Sequence, residues 1–142
     1  MTKRILWILT IIPFLLLDSA CKPTPQKAKK SIEKKQFHSA AEEYAYLYAK
    51  TDNRKEKLLY AELIGECYKN ASQYKKALSW YKKAANMKTA EPEVVMMYCK
   101  MLKANEMWTD AIVALQDFKK RFPGKMTEMA DCEISGAENA LK

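Results

Sequence analysis

The sequence predicts an all-α fold in which about three helix pairs stack into a helical solenoid and a closing helix covers the last pair. Three observations lead to this prediction. Apolar residues recur at helical spacing from residue 28 onward, the second-helix pattern around Ala77 returns around Ala111, and the 142-residue chain has only three glycines and five prolines. Few helix-breaking residues mean few turns. The length leaves room for one folded domain.

The N-terminus predicts a signal peptide over residues 1–20. It has a basic start at Lys3 and Arg4, followed by a predominantly apolar stretch of thirteen residues at positions 5–17. As a helix this stretch would be about 20 Å long, which is short of the ~30 Å hydrocarbon layer. Cleavage is therefore favoured over a permanent span. Removal of Lys3, Arg4 and Asp18 lowers the formal net charge from +8 to +7.

The end of this leader, Asp18-Ser19-Ala20-Cys21, resembles the lipobox of bacterial lipoproteins. The resemblance implies that Cys21 is acylated on sulfur and becomes the new N-terminus. Asp18 departs from the family pattern, which has an aliphatic residue there, so an ordinary cleaved signal is the alternative. By the sorting rule of the family, Lys22 after the cysteine implies a lipid anchor in the outer membrane. The periplasmic face is the expected side, although the sequence leaves the face open.

Residues 21–27 are predicted to form an extended, lipid-anchored tether, because Pro23 and Pro25 disfavour helix. Lysines outnumber acidic residues in and just after this segment, where Glu33 is the only acid among Lys22, Lys27, Lys29, Lys30, Lys34 and Lys35. Such a cluster beside an anchor can bind an anionic lipid surface. A solvated helix face explains it equally well.

The clearest repeat unit spans residues 54–87. Its first helix is marked by Ile64, Gly65 and Tyr68. Its second helix has the pattern Tyr74, Ala77, Tyr81 and Ala84. These motifs resemble the tetratricopeptide repeat, in which small residues lie where two helices cross and aromatic residues fill the space between them. Gly65 is accordingly predicted to let the partner helix approach closely.

Two further units and a closing helix complete the predicted tetratricopeptide domain, residues 28–142. The unit at residues 91–123 repeats the second-helix core one full period later, in Trp108, Ala111, Leu115 and Phe118, and Pro123 follows its end. The unit at residues 28–50 has a regular second helix but a weak first helix. Residues 125–141 predict the closing helix, with the apolar face Met126, Ala130, Ile134, Ala137 and Leu141.

The other three cysteines, Cys67, Cys99 and Cys132, are spaced almost evenly, at intervals close to the repeat length. No pair has the two-residue separation of metal or redox motifs. They are therefore predicted to be small buried helix residues, with a disulfide as the alternative.

No enzyme, metal site or cofactor is predicted. The single histidine, His38, lies on a lysine-rich helix start, and the three glycines are too dispersed to form a phosphate-binding loop. Export argues against a nucleic-acid partner, and nothing indicates a small-molecule substrate. The expected partner is a protein of the cell envelope.

Partner binding is predicted on the inner surface of the first helices. The candidates are Glu62, Glu66 and Lys69 in one unit and Met96, Lys100 and Lys103 in the next. Both charge signs and a flexible apolar residue suit an extended peptide or a helix of mixed charge. For each residue taken singly, a solvated face is the alternative.

Four short segments carry a closer resemblance: residues 66–69, 74–77, 80–81 and 130–133. They are similar to the N-terminal repeat region of outer-membrane lipoproteins from Bacteroidetes, notably the peptidoglycan-associated component of the type IX secretion apparatus. The resemblance covers nearly all of residues 21–142 and implies an accessory scaffold of that machinery. Residues 118–123 also resemble the repeat ends of lipoproteins for outer-membrane protein assembly or cell-envelope constriction, which is the second possibility.

Overall fold

The computed structural model describes residues 22–142, so the predicted signal peptide and Cys21 lie outside the described residues. Within this range the chain forms seven helices and no strand, which confirms the all-α prediction. The helices are α1 (Pro25–Glu33), α2 (Phe37–Lys50), α3 (Arg54–Asn70), α4 (Tyr74–Ala85), α5 (Pro92–Ala104), α6 (Trp108–Arg121) and α7 (Thr127–Ala140). None of these seven helices has the length and apolar content that crossing a bilayer requires.

Helices α1 to α6 form three hairpins with the same turn. Each turn contains one residue in the left-handed backbone region, and these residues are Lys35, Ser72 and Glu106, with φ of 58°, 57° and 60°. In each case the N–H of the next residue donates to a carbonyl oxygen five residues earlier, at 2.8–3.0 Å. The intervals between the turns equal those between the alanines of the second-helix pattern, so the turns follow the period that the sequence predicts.

The start of α1 differs from the predicted tether. The prolines were expected to keep residues 21–27 extended, but α1 begins at Pro25. The first position of a helix tolerates proline, because the amide N–H that proline lacks would have no partner inside the helix. Thr24 caps this turn by accepting a hydrogen bond from the Lys27 N–H at 3.2 Å. The extended part of the described chain therefore ends at Thr24.

The weak apolar pattern of α1 is explained by how it packs. Ala28 is fully buried, and Ser31 is 7% exposed. The Ser31 hydroxyl donates to Glu43 of α2 at 2.9 Å, and Lys27 pairs with the same carboxylate at 3.2 Å. A small residue and two polar contacts thus attach α1 to α2, where the sequence pattern expects a wider apolar face.

Each helix packs chiefly on the helices before and after it in the chain. The second helix of every hairpin has a fully buried alanine at its fourth position, namely Ala40, Ala77 and Ala111. An alanine at this place lets two helix backbones come close. The three residues occupy the same position of their helices and are equally buried, so the burial pattern repeats along with the turns.

Helix α7 packs on α6 and covers a side of it that the preceding helices leave open. Ala130 and Ala137 are buried, and Met126 and Ile134 are half-buried against the same layer. Lys119 of α6 pairs with Asp131 of α7 at 2.6 Å. The prediction for Leu141 is wrong, because this residue follows the last turn of α7 and is 54% exposed.

Gly65 of α3 lies against the ring of Tyr81 of α4, in a contact that leaves no room for a Cβ atom. A Cβ atom there would be 2.9 Å from Cδ2 of the Tyr81 ring, and Tyr81 is 1% exposed. We expect Gly65→Ala to lower the free energy of unfolding by about 1–2 kcal/mol, because the cost of overpacking exceeds the ~1 kcal/mol that alanine gains in a helix. Urea unfolding followed by circular dichroism measures the change.

Gly136→Ala in α7 is the matched control. There a Cβ atom would meet only Nζ of Lys103, at 3.1 Å, which is the end of a long side chain that can shift by a few tenths of an ångström. This substitution should raise stability by about 0.5–1 kcal/mol through helix propensity alone. If both substitutions stabilise the protein to the same extent, the close crossing at Gly65 is wrong.

A candidate partner-binding surface on the first helices

Glu62, Glu66 and Lys69 lie on one side of α3, at spacings of four and three residues. We call the exposed sides of α3, α5 and α7 the first-helix face. Glu66 is held firmly there, since its carboxylate accepts hydrogen bonds from the Tyr81 hydroxyl at 2.8 Å and the Asn70 amide at 3.2 Å. Lys69 pairs with it at 2.7 Å.

Burial would raise the pKa of Glu66, but the hydrogen bonds from Lys69, Tyr81 and Asn70 outweigh it and leave this pKa below its usual value. Glu66 is therefore ionised at neutral pH. Its negative charge is fixed in position on the first-helix face.

Glu62 has a different environment. It is half-buried, and within residues 22–142 no lysine, arginine or histidine nitrogen comes within 4 Å of its carboxylate. Burial raises its pKa, and the negative charges of Glu66 and Glu93 raise it further. The ionised form of Glu62 thus disfavours folding. A cation supplied by another molecule would reverse this effect.

Met96 was predicted to contact a partner, and the structure contradicts that prediction. Met96 is 1% exposed and packs with Cys99, Leu115 and Ala130. Its side of α5 faces α6 and α7, and these two helices cover it. Met96 is a core residue.

Lys100 and Lys103 lie at the surface but are engaged within the chain. Both pair with Glu133 of α7, Lys100 at 3.8 Å and Lys103 in closer contact. Lys103 also donates to the backbone carbonyl oxygen of Glu133 at 3.2 Å. These lysines connect α5 to the closing helix, and the single Glu133 carboxylate compensates one of their two positive charges.

Glu93 and Glu133 are the surface residues that the sequence reasoning missed. Glu93 is seven residues before Lys100 and thus lies on the same side of α5. That spacing could have identified it. Glu133 could not be identified in this way, because its contact with Lys100 and Lys103 depends on how α7 is placed against α5.

Nine of the eleven predicted core residues are buried: Ile64, Gly65, Tyr68, Ala77, Tyr81, Ala84, Ala111, Leu115 and Phe118. The prediction is wrong for Tyr74, which is 42% exposed, and Trp108 is only half-buried. Each of these two is the first residue of a second helix. That position lies at the end of a hairpin, where fewer neighbours cover the ring.

The cysteines divide into two classes. Burial raises the pKa of the Cys67 thiol to about 11 and that of Cys99 to about 12. Cys132 was predicted to be buried, but it is exposed. It lies two residues after Ala130, on the side of α7 that faces away from α6. All three are free thiols.

The comparisons with known proteins add no relative. No family model matches the chain, and neither does any curated protein. Among residues 22–142, no three histidine, cysteine or acidic side chains come together as a set of metal ligands.

We expect Cys132 to be the only one of these three thiols that a water-soluble disulfide reagent labels rapidly. At pH 8 about 0.1% of a thiol with a pKa near 11 is ionised, and burial further shields Cys67 and Cys99. Labelling of a Cys21→Ser protein, followed by absorbance, should give one fast thiol, and full unfolding should release two more. Three fast thiols in the native protein would contradict the burial of the first two.

Proposed function

We propose that the chain is a non-enzymatic, lipid-anchored protein of the cell envelope that binds another protein through a short tetratricopeptide array. The repeated turns, the buried alanines at the same position of each second helix and the close approach at Gly65 support the array. The motif resemblance favours an accessory scaffold of a type IX secretion machinery at the outer membrane. An assembly or constriction lipoprotein of the envelope is the alternative within the same class.

Glu62 is the observation that carries the proposed binding role. A half-buried carboxylate beside two other acids, with no cation from the described part of its own chain, is suited to receive a lysine or arginine of a partner. Leu59 adds an apolar contact, because it is 50% exposed and lies three residues before Glu62 on the same side of α3. The partner segment therefore carries basic and apolar side chains.

The proposed contact surface is smaller than the sequence alone predicts. Lys100 and Lys103 stabilise the packing of α7, and Met96 lies in the core, so the surface consists of the exposed sides of α3 and the first half of α5. Its charged members are Glu62, Glu66, Lys69 and Glu93, together with the exposed Lys55, which is seven residues before Glu62 on the same side of α3. Three acids and two lysines leave it a net negative charge on a chain that is positive overall. Such a local reversal favours a basic partner segment.

A second candidate function rests on the lysines of α1 and of the turn that follows it. Lys29, Lys30, Lys34 and Lys35 are all exposed near the proposed anchor. In this case the main partner would be an anionic lipid surface or polymer, and binding would weaken steeply with salt. The two functions use different residues and can be separated by mutation.

We expect the double variant Glu62→Gln and Glu93→Gln to retain at least about tenfold less partner protein, a loss of ~1.4 kcal/mol, because the partner's cation loses its carboxylates. The measurement is quantitative affinity capture from detergent-solubilised envelopes at moderate salt. Glu106→Gln, an exposed glutamate in a hairpin turn, is the matched control and should capture as the wild type does. Thermal unfolding should show no loss of stability, since the charge of Glu62 opposes folding.

The opposite pattern would favour the second function. Capture that is unchanged by the double variant, but is lost with added salt or with neutral replacements of Lys29, Lys30, Lys34 and Lys35, would exclude the proposed protein contact.

The anchor gives a separate prediction. Cys21→Ser should move the protein from the membrane fraction to the soluble fraction, because one residue would carry the acyl chains that hold it. Immunoblotting of fractionated cells measures the shift, and Cys132→Ser serves as the control. Unchanged membrane partitioning of Cys21→Ser would argue against acylation.

A further inference from the structure

A second surface feature lies on the opposite side of α5 from the acids of the first-helix face. It is a groove of about 440 Å³ between α4 and α6, with α5 as its floor. The floor contains the buried Val95 and Leu102, and the half-buried Tyr98 lies between them. At about 100° per residue, these three project from the side of α5 opposite Glu93. The α4–α6 groove and the first-helix face are therefore separate surfaces.

The walls of the α4–α6 groove are apolar near the floor and charged at the rim. Leu78 of α4 and Ala114 of α6 are half-buried along its length. Further out, Val113 is 53% exposed and Met107 is 39% exposed. A partner that filled the groove would cover these apolar side chains.

The two rims carry opposite charges. Lys82 projects from α4, whereas Asp110 and Asp117 project from α6 seven residues apart. Within residues 22–142 no opposite charge lies within 4 Å of Lys82 or Asp110. In the described part of the chain Asp117 pairs only with the exposed Lys120, at 3.1 Å, and such a surface pair contributes little. These charges are available to a partner.

Arg121 fixes the width of the groove at one end. Its guanidinium donates to the backbone carbonyl oxygens of Ala85 at 2.7 Å and Met87 at 3.0 Å. These bonds attach the end of α6 to the end of α4 and also supply partners for terminal carbonyl groups. The groove is thus preformed, which reduces the entropy that binding must overcome.

We propose that the α4–α6 groove binds one amphipathic helix of another protein, with basic residues along one edge of its apolar seam and acidic residues along the other. The apolar floor suits the seam, and the oppositely charged rims match the two edges. Asp110 and Asp117 are two helical turns, about 10.5 Å, apart, so the basic residues of the partner recur at every seventh position.

The dimensions of the groove agree with a helix as its occupant. Its walls have 12 and 14 residues, or about 18 and 21 Å, which match a partner of three to four turns. This inference goes beyond the proposed function, since it uses neither Glu62 nor the anchor. One partner could contact both surfaces, or two partners could each use one.

Three synthetic 16-residue helices with the same leucine seam test the proposal. One has lysines along one edge and glutamates along the other, one has glutamates along both edges, and one has lysines along both. Fluorescence anisotropy with the full chain in mild detergent should show the mixed peptide binding about tenfold more tightly than either uniform peptide. Nonspecific attraction to this basic protein would instead favour the all-glutamate peptide.

Variants in the groove supply the decisive comparison. The double variant Asp110→Lys and Asp117→Lys makes both rims basic, so its preference should change to the all-glutamate peptide. Ala114→Trp should fill the groove and weaken the mixed peptide at least tenfold, whereas Gln116→Trp, on the exposed side of the same helix, should not. Glu62→Gln should leave the affinity of the groove for the peptide unchanged. The proposed groove can therefore be tested independently of the proposed partner contact on the first-helix face.

Three outcomes would overturn the proposal. The first is that no peptide binds, and the second is that the preference is the same in the wild type and in the double aspartate variant. The third is that light scattering shows a dimer that Ala114→Trp dissociates, which would make the groove an interface between two copies of this chain.

Discussion

The close crossing of α3 and α4 at Gly65 is the constraint on which the rest of the structure depends. Because Gly65 has no Cβ, the ring of Tyr81 packs against the α3 backbone. The Tyr81 hydroxyl then reaches Glu66 at 2.8 Å, which satisfies a polar group on a nearly fully buried ring. The same bond positions Glu66 on the first-helix face. Core packing and the candidate site are therefore linked by one glycine.

The spacing of residues in the sequence predicted correctly which side of its helix a residue lies on. It predicted less well whether that side is buried by another helix. Ala77 and Ala111 are buried because the fourth position of each second helix faces the partner helix. Tyr74 satisfies the same spacing, yet it lies at the end of a hairpin, where cover is incomplete. The prediction for Met96 is wrong in the opposite sense, because this residue was expected at the surface and neighbouring helices bury it. Periodicity fixes which way a side chain points, whereas the exposure of that direction depends on elements far away in the chain.

The closing helix explains most of the difference between the predicted and the observed candidate site. An array of stacked hairpins leaves one layer open at its end, and α7 covers it with small side chains. Glu133 lies beside Lys100 and Lys103, so the element that ends the stack engages the basic part of the first-helix face and offsets one of its two positive charges. Within residues 22–142 no lysine, arginine or histidine nitrogen lies within 4 Å of the Glu62 or Glu93 carboxylate, and for this reason the uncompensated charge beside these two acids is negative.

Helix α5 holds both candidate surfaces in a fixed relation. It is buried on most sides, with Val94, Val95, Met96, Cys99, Met101 and Leu102 all in the core. A helix packed so completely does not rotate without loss of many contacts, so Glu93 on one side and the groove floor on the other keep their places. Occupation of one surface does not block the other, because α5 lies between them. With both proposed contacts formed, one small domain would connect two protein segments, which is the physical requirement for the proposed scaffold role.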